Sequence, residues 1–221
     1  MRSAVFSIIL LAVLTPNEGR AALVYDLFLR TSLGDGLDST FDVAANTSIT
    51  GAQVILRETV SGGDSSLLAA SNLNAFNATV SASGSDGSFD NLVTDVTGGV
   101  AGPQNDSDTL NYFALGPILS QPGRTSTDAG AGVREIVLGV LDLSGPMAGS
   151  TVFTISDASG ADGDFTTFDS AGGLESLSVA SGGGFFGRSF TLNAPTAIPE
   201  PSSLFCLSMI GSGFLLRRRR R

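Results

Sequence analysis

Short alternating runs of apolar and polar residues, rather than helical periods, organise the 221-residue chain. In ALVYDLFLR, Ala22 to Arg30, Val24, Asp26 and Phe28 alternate with Leu23, Tyr25, Leu27 and Leu29, which suits a strand covered on both faces. AQVILRET, Ala52 to Thr59, predicts a second strong strand. The cleanest alternation is AFNATVSAS, Ala75 to Ser83: Phe76, Ala78 and Val80 share one face, and Asn77, Thr79 and Ser81 the other. VREIVLGVLDL (Val133 to Leu143) and STVFTIS (Ser150 to Ser156) are divided by the loop signal Ser144 to Gly149, which predicts a hairpin. Leu174 to Ala180 and Ser189 to Asn193 complete the predicted strands. Clusters such as Ser61 to Asp64 and Ser83 to Gly87 read as turns. Short strands, frequent turns and no βα alternation predict an all-β fold, an antiparallel β-sandwich or jelly roll, over residues 22–193. A parallel β-helix is the rival architecture, but there is no repeat of fixed period.

The two ends follow different patterns. Residues 1–21 open with Arg2, continue with the uncharged run Ala4 to Leu14, and reach Pro16 and Gly19-Arg20-Ala21 before Ala22. A positive start, a short apolar helix and small residues at a cut site are the layout of a secretory signal peptide. After a linker at 194–197, the chain reaches Pro199-Glu200-Pro201, the uncharged segment 202–216, and Arg217, Arg218, Arg219, Arg220 and Arg221. As a helix, segment 202–216 spans about 22 Å, short of a hydrocarbon core about 30 Å thick. Snorkelling arginines make up part of the difference, and the positive-inside bias holds the basic stop in the cytoplasm. The expected topology places the β domain outside the membrane.

The ordered sequence Pro-Glu-Pro, apolar segment, arginine cluster over residues 198–221 resembles the PEP-CTERM sorting signal of bacterial exported proteins. The resemblance implies recognition by an exosortase after export, processing near Pro199-Glu200-Pro201, and an owner with an exopolysaccharide-rich envelope or biofilm. The alternative is a plain tail anchor without processing. A second resemblance, in rhythm only, relates the VILRETV strand, SLLAASNLNAFNAT and VLGVLDLSGPMAGSTVFTIS to the cohesin-like jelly roll. It implies a fold and no binding residues.

Charge separates the parts further. Residues 22–200 carry five arginines against twenty acidic residues, a net charge of about −15. Such a surface repels DNA and anionic lipid, so nucleic acid is excluded as a partner. The single cysteine, Cys206, lies in the apolar tail segment, so residues 22–193 are expected to fold without a disulfide.

The chain has no histidine, which removes Ser-His-Asp and Cys-His catalysis and histidine-dependent zinc sites. It has no lysine, and its glycine runs do not open a helix after a strand, so no phosphate-binding loop is expected. Glu58, Glu135 and Glu175 are the carboxylates that a glycoside-cleaving pair could draw on. No catalytic residue is assigned and no cofactor is required. Calcium is the candidate ion: Asp157, Asp162 and Asp164 lie close together on a loop, as do Asn105, Asp106 and Asp108, although neither stretch has the closing glutamate of an EF-hand. The Asn-x-Ser/Thr triplets at Asn46, Asn77 and Asn105 are expected by chance in so Ser/Thr-rich a chain. Sugar platforms usually use exposed aromatics, and with no tryptophan this region offers only Tyr25, Tyr112 and phenylalanines such as Phe185 and Phe186, which counts against a carbohydrate-active enzyme. The expected function is that of a non-enzymatic envelope or matrix protein, with exosortase, the export machinery and an exopolysaccharide or envelope protein as partners. The alternative is a secreted carbohydrate-active enzyme using paired carboxylates.

Overall fold

The computed structural model describes residues 22–63, 65–116, 119–158, 163–168, 173–181 and 184–196. The two terminal signals, with Pro199, Glu200, Pro201 and Arg217 to Arg221, lie outside the described residues, as does Asp162. In chain order the elements are β1 (Ala22–Thr31), β2 (Gly34–Asp35), β3 (Ser39–Asp42), β4 (Ser48–Ser61), α1 (Leu67–Ala70), β5 (Leu73–Gly84), β6 (Ser88–Thr94), β7 (Val100–Ala101) and β8 (Thr109–Phe113). They continue as β9 (Thr127–Gly130), β10 (Val133–Ser144), β11 (Gly149–Asp157), β12 (Thr166–Phe168), β13 (Leu174–Ser176), α2 (Leu177–Ala180), β14 (Gly184–Gly187) and β15 (Ser189–Ala194). The fold is all-β. Among the described residues no helix is long and apolar enough to cross a membrane.

Two sheets share one core. The first has the order β14–β1–β4–β10–β6, with β2 beside β1 and β9 beside β10. The second runs β13–β12–β5–β11–β15–β3, and β8 pairs with β5 while β7 pairs with β8. Leu27, Leu56 and Leu138 from the first sheet meet Phe76, Phe153 and Phe190 from the second in a single buried cluster. Alternation explains the pairing of faces: each long strand sends every second side chain inward, and the polar remainder faces out. As expected, Phe76, Ala78 and Val80 point into the core.

The predicted hairpin between Val133–Leu143 and Ser150–Ser156 does not form. Both edges of β10 are taken, by β4 on one side and by β6 and β9 on the other, so β11 crosses to the second sheet and pairs with β5 and β15. The loop signal marked a change of direction correctly, but not the change of sheet. The predicted strand at Leu174–Ala180 ends at Ser176, where the chain enters the single turn α2. The fully buried Leu177 turns inward there, its N–H donating to the Phe165 carbonyl at 2.9 Å. Pairing is antiparallel except at two edges: β14 lies parallel to β1, and β3 parallel to β15.

A carboxylate is placed inside the core. Glu58 on β4 is fully buried and receives the Tyr25 hydroxyl at 2.8 Å, the Ser66 hydroxyl, and the N–H groups of Leu67 and Leu68 at 3.1 and 3.2 Å. The last two are free N-terminal donors of α1, so the carboxylate fixes that turn against the sheet.

Candidate ligand cleft

Strands β5 and β8 pair antiparallel with Asn77 opposite Asn111 and Ala75 opposite Phe113. Their neighbours Phe76, Ala78, Leu110 and Tyr112 belong to the core, so these four residues line the opposite, outer face of the second sheet. Two carboxamides thus stand side by side, next to an aromatic ring paired with a methyl group. The loop carrying Pro103 and Gln104 forms one wall, and Gly163 with Asp164 another, enclosing a cleft of about 280 Å³.

The wall is tightly built. A Cβ on Gly102 would lie 1.5 Å from Asn111 Oδ1, so glycine lets the loop sit over that carboxamide in its present orientation. Asn77 Nδ2 donates to Gln104 Oε1 at 2.8 Å, which ties the floor to the loop. The other end of the same amide, Asn77 Oδ1, is buried without a hydrogen-bond partner, and Asn77 is only 8% exposed. Beneath the floor, Tyr112 stacks on Phe76 at 5.1 Å, and burial pushes its phenol up to about 12.

The calcium candidates distribute differently from the sequence expectation. Asp164 lines the cleft, whereas Asp157 closes β11 opposite Ala78. Among the described residues no group of three or more acidic or cysteine side chains is placed to hold a metal ion. In the second loop, Asp106 accepts from the N–H groups of Asp108 and Thr109, bonds that hold its carboxyl below the usual range. Asn105 Oδ1 accepts from the Thr94 hydroxyl and the Asn111 N–H. Asp106 thus serves the loop's own turn, and Asn105 ties the loop to β6 and β8.

The glutamates also separate. Glu58 is inside the core, and Glu135 lies on the outer face of the first sheet, so they cannot act together across one bond. Glu135 instead accepts from Arg30 at 2.8 and 2.9 Å and from Arg57 at 2.7 Å. Asp35 accepts from the same two arginines, closing a ring of four charges. The ring covers Phe28, with the Arg57 guanidinium 4.5 Å from the ring centre. The remaining arginines, Arg124, Arg134 and Arg188, pair with Asp95, Asp128 and Asp26. Each arginine of the described residues is therefore engaged by carboxylate, and none is held apart for an anionic ligand.

The aromatic residues that the sequence offered are mostly committed elsewhere. Tyr25 and Tyr112 are buried, Phe185 packs on Tyr25 at 5.7 Å, and Phe186 lies beneath the Arg188 guanidinium at 4.8 Å. Phe113, which sequence reasoning missed, is the aromatic residue on the outer face beside the amides. Its signal was the alternation in TLNYF, Thr109 to Phe113, with Leu110 and Tyr112 inward. Comparison with family models, curated proteins and solved structures finds no match for this chain.

Proposed function

We propose that this is an exported, non-enzymatic β-sandwich protein of a bacterial envelope or extracellular matrix, with a jelly-roll, cohesin-like strand arrangement. Its partners are the export machinery, an exosortase acting at a PEP-CTERM signal, and an exopolysaccharide or envelope protein. The observation that carries the reading is the ordered tail: Pro199-Glu200-Pro201, an uncharged segment, and five arginines, in a chain that also opens with a signal-peptide pattern. The apolar segment 202–216 holds the chain in the membrane until it is processed, with the basic stop in the cytoplasm.

Supporting the non-enzymatic part, Glu58 and Glu135 are each committed to internal partners on opposite faces of the first sheet. The experiment is the intact mass of the mature protein from a host with an active exosortase. Cleavage near Pro201 removes about twenty residues, including Cys206. A mature protein that retains Cys206 reduces the tail to an ordinary anchor.

A further inference from the structure

We infer that the cleft over β5 and β8 is a subsite for one neutral sugar ring of a polysaccharide, with the Asn77 carboxamide as its central recognition group. The inference rests on the envelope reading above and names the surface through which the domain would meet a glycan.

Four features converge. First, Asn77 Oδ1 is a buried acceptor with no partner, while its own Nδ2 is fixed on Gln104 at 2.8 Å. A buried acceptor left unpaired costs about 1–3 kcal/mol, which a donor entering the cleft would recover. A sugar hydroxyl is such a donor, and the neighbouring Asn111 carboxamide can both accept and donate. Second, the cross-strand register sets these amides beside Phe113, whose ring can take the C–H face of a pyranose while the amides take its hydroxyls. Third, about 280 Å³ lies at the small end of ligand-pocket volumes and admits one ring rather than an enclosed chain. Fourth, Asp164 is the carboxylate in the lining and the domain around it is strongly acidic, which disfavours uronic acids and sulfated sugars. Neutral hexoses are the class that remains.

A calcium ion is the competing occupant for an oxygen-lined cleft. It needs six to eight oxygens and usually several carboxylates, whereas this lining offers amides and one aspartate.

The test uses the full-length chain in detergent on an array of immobilised neutral hexose and uronic-acid oligosaccharides, followed by calorimetry with the best neutral oligosaccharide. Three proteins are compared: wild type, Asn77→Leu and Phe113→Ala. The expected result is retention on neutral spots, with binding at least tenfold weaker in both variants while both still melt cooperatively. Asn77→Leu also loses the bond to Gln104, so Phe113→Ala, which leaves that bond in place, is the readout that separates a lost ligand contact from a loosened loop. No retention on any neutral spot by folded protein overturns the inference. Binding that survives both substitutions also overturns it, while leaving a glycan-binding envelope protein intact. So does calcium binding in calorimetry that Asn77→Leu abolishes. Processing at Pro199-Glu200-Pro201 is read separately by mass, so failure of the sorting signal and failure of the cleft give different results.

Discussion

The hydroxyl of Tyr25 donates to Glu58 at 2.8 Å in a core where neither residue has any exposed surface. Burial and then the adjacent Glu58 charge push the Tyr25 phenol far above its ordinary pKa, so it remains a donor throughout the working pH range. Tyr25→Phe removes one of the carboxylate's donors and leaves those from Ser66, Leu67 and Leu68. The expected cost is about 1 kcal/mol, whereas Glu58→Leu strands all of these donors and costs about 3 kcal/mol or more. Urea unfolding of both variants gives the order; equal losses would mean that the donors find other partners.

The ring of Arg30, Asp35, Arg57 and Glu135 makes stability depend on acid. The Arg30 hydrogen bond, above all, holds Asp35 low. Burial pushes Glu135 up, but bonds from Arg30 and Arg57 outweigh it, and its net position is also lowered. Both carboxyls thus have folded pKa values below their unfolded ones. Their contribution is complete above about pH 4 to 4.5 and is lost as pH falls through the folded values. The urea midpoint should fall steadily below about pH 4 in wild type and less steeply in Glu135→Gln. Parallel pH profiles for the two proteins would place the acid sensitivity elsewhere.

Gly139 sits at a bulge in β10, where a Cβ would come within 2.5 Å of the Val93 carbonyl and 2.9 Å of Leu110. Gly139→Ala must therefore push β6 or β8 away. The expected loss is about 1–3 kcal/mol, visible as a lowered thermal midpoint. An unchanged midpoint would show that β6 moves without cost.

In the tail, two substitutions should fail at different steps. Glu200→Ala leaves membrane insertion unchanged and reduces cleavage, because the apolar segment and its basic stop remain. Replacing Arg217 to Arg221 with serine removes the stop and loosens retention in the membrane. Fractionation with intact mass separates the two; identical behaviour would argue against a recognised tripeptide.

Much of the first sheet was legible because β1, β4 and β10 are long and carry apolar residues largely at a period of two, broken at bulges. Strand β6 was missed because Ser88 to Thr94 is mostly polar and partners only one edge of β10. The single turns α1 and α2 are too short to show a helical period, and α1 depends on a carboxylate from β4. The cleft is least legible. Outward-facing Asn77 was visible in its own strand, but its position beside Asn111 and Phe113 comes from pairing between distant segments. Nothing local to either stretch encodes that register.

The two parallel edge pairings also set an order of completion. β14 lies along β1 and β15 along β3, and Arg188 joins Asp26 across 162 positions of sequence. A chain emerging from its amino end therefore has both early edges open until residues 184–194 arrive. Contacts of such sequence separation form slowly, so closure is a late event rather than one that accompanies synthesis. The last strands thus cap two sheet edges that stand unpaired while the rest of the chain is made.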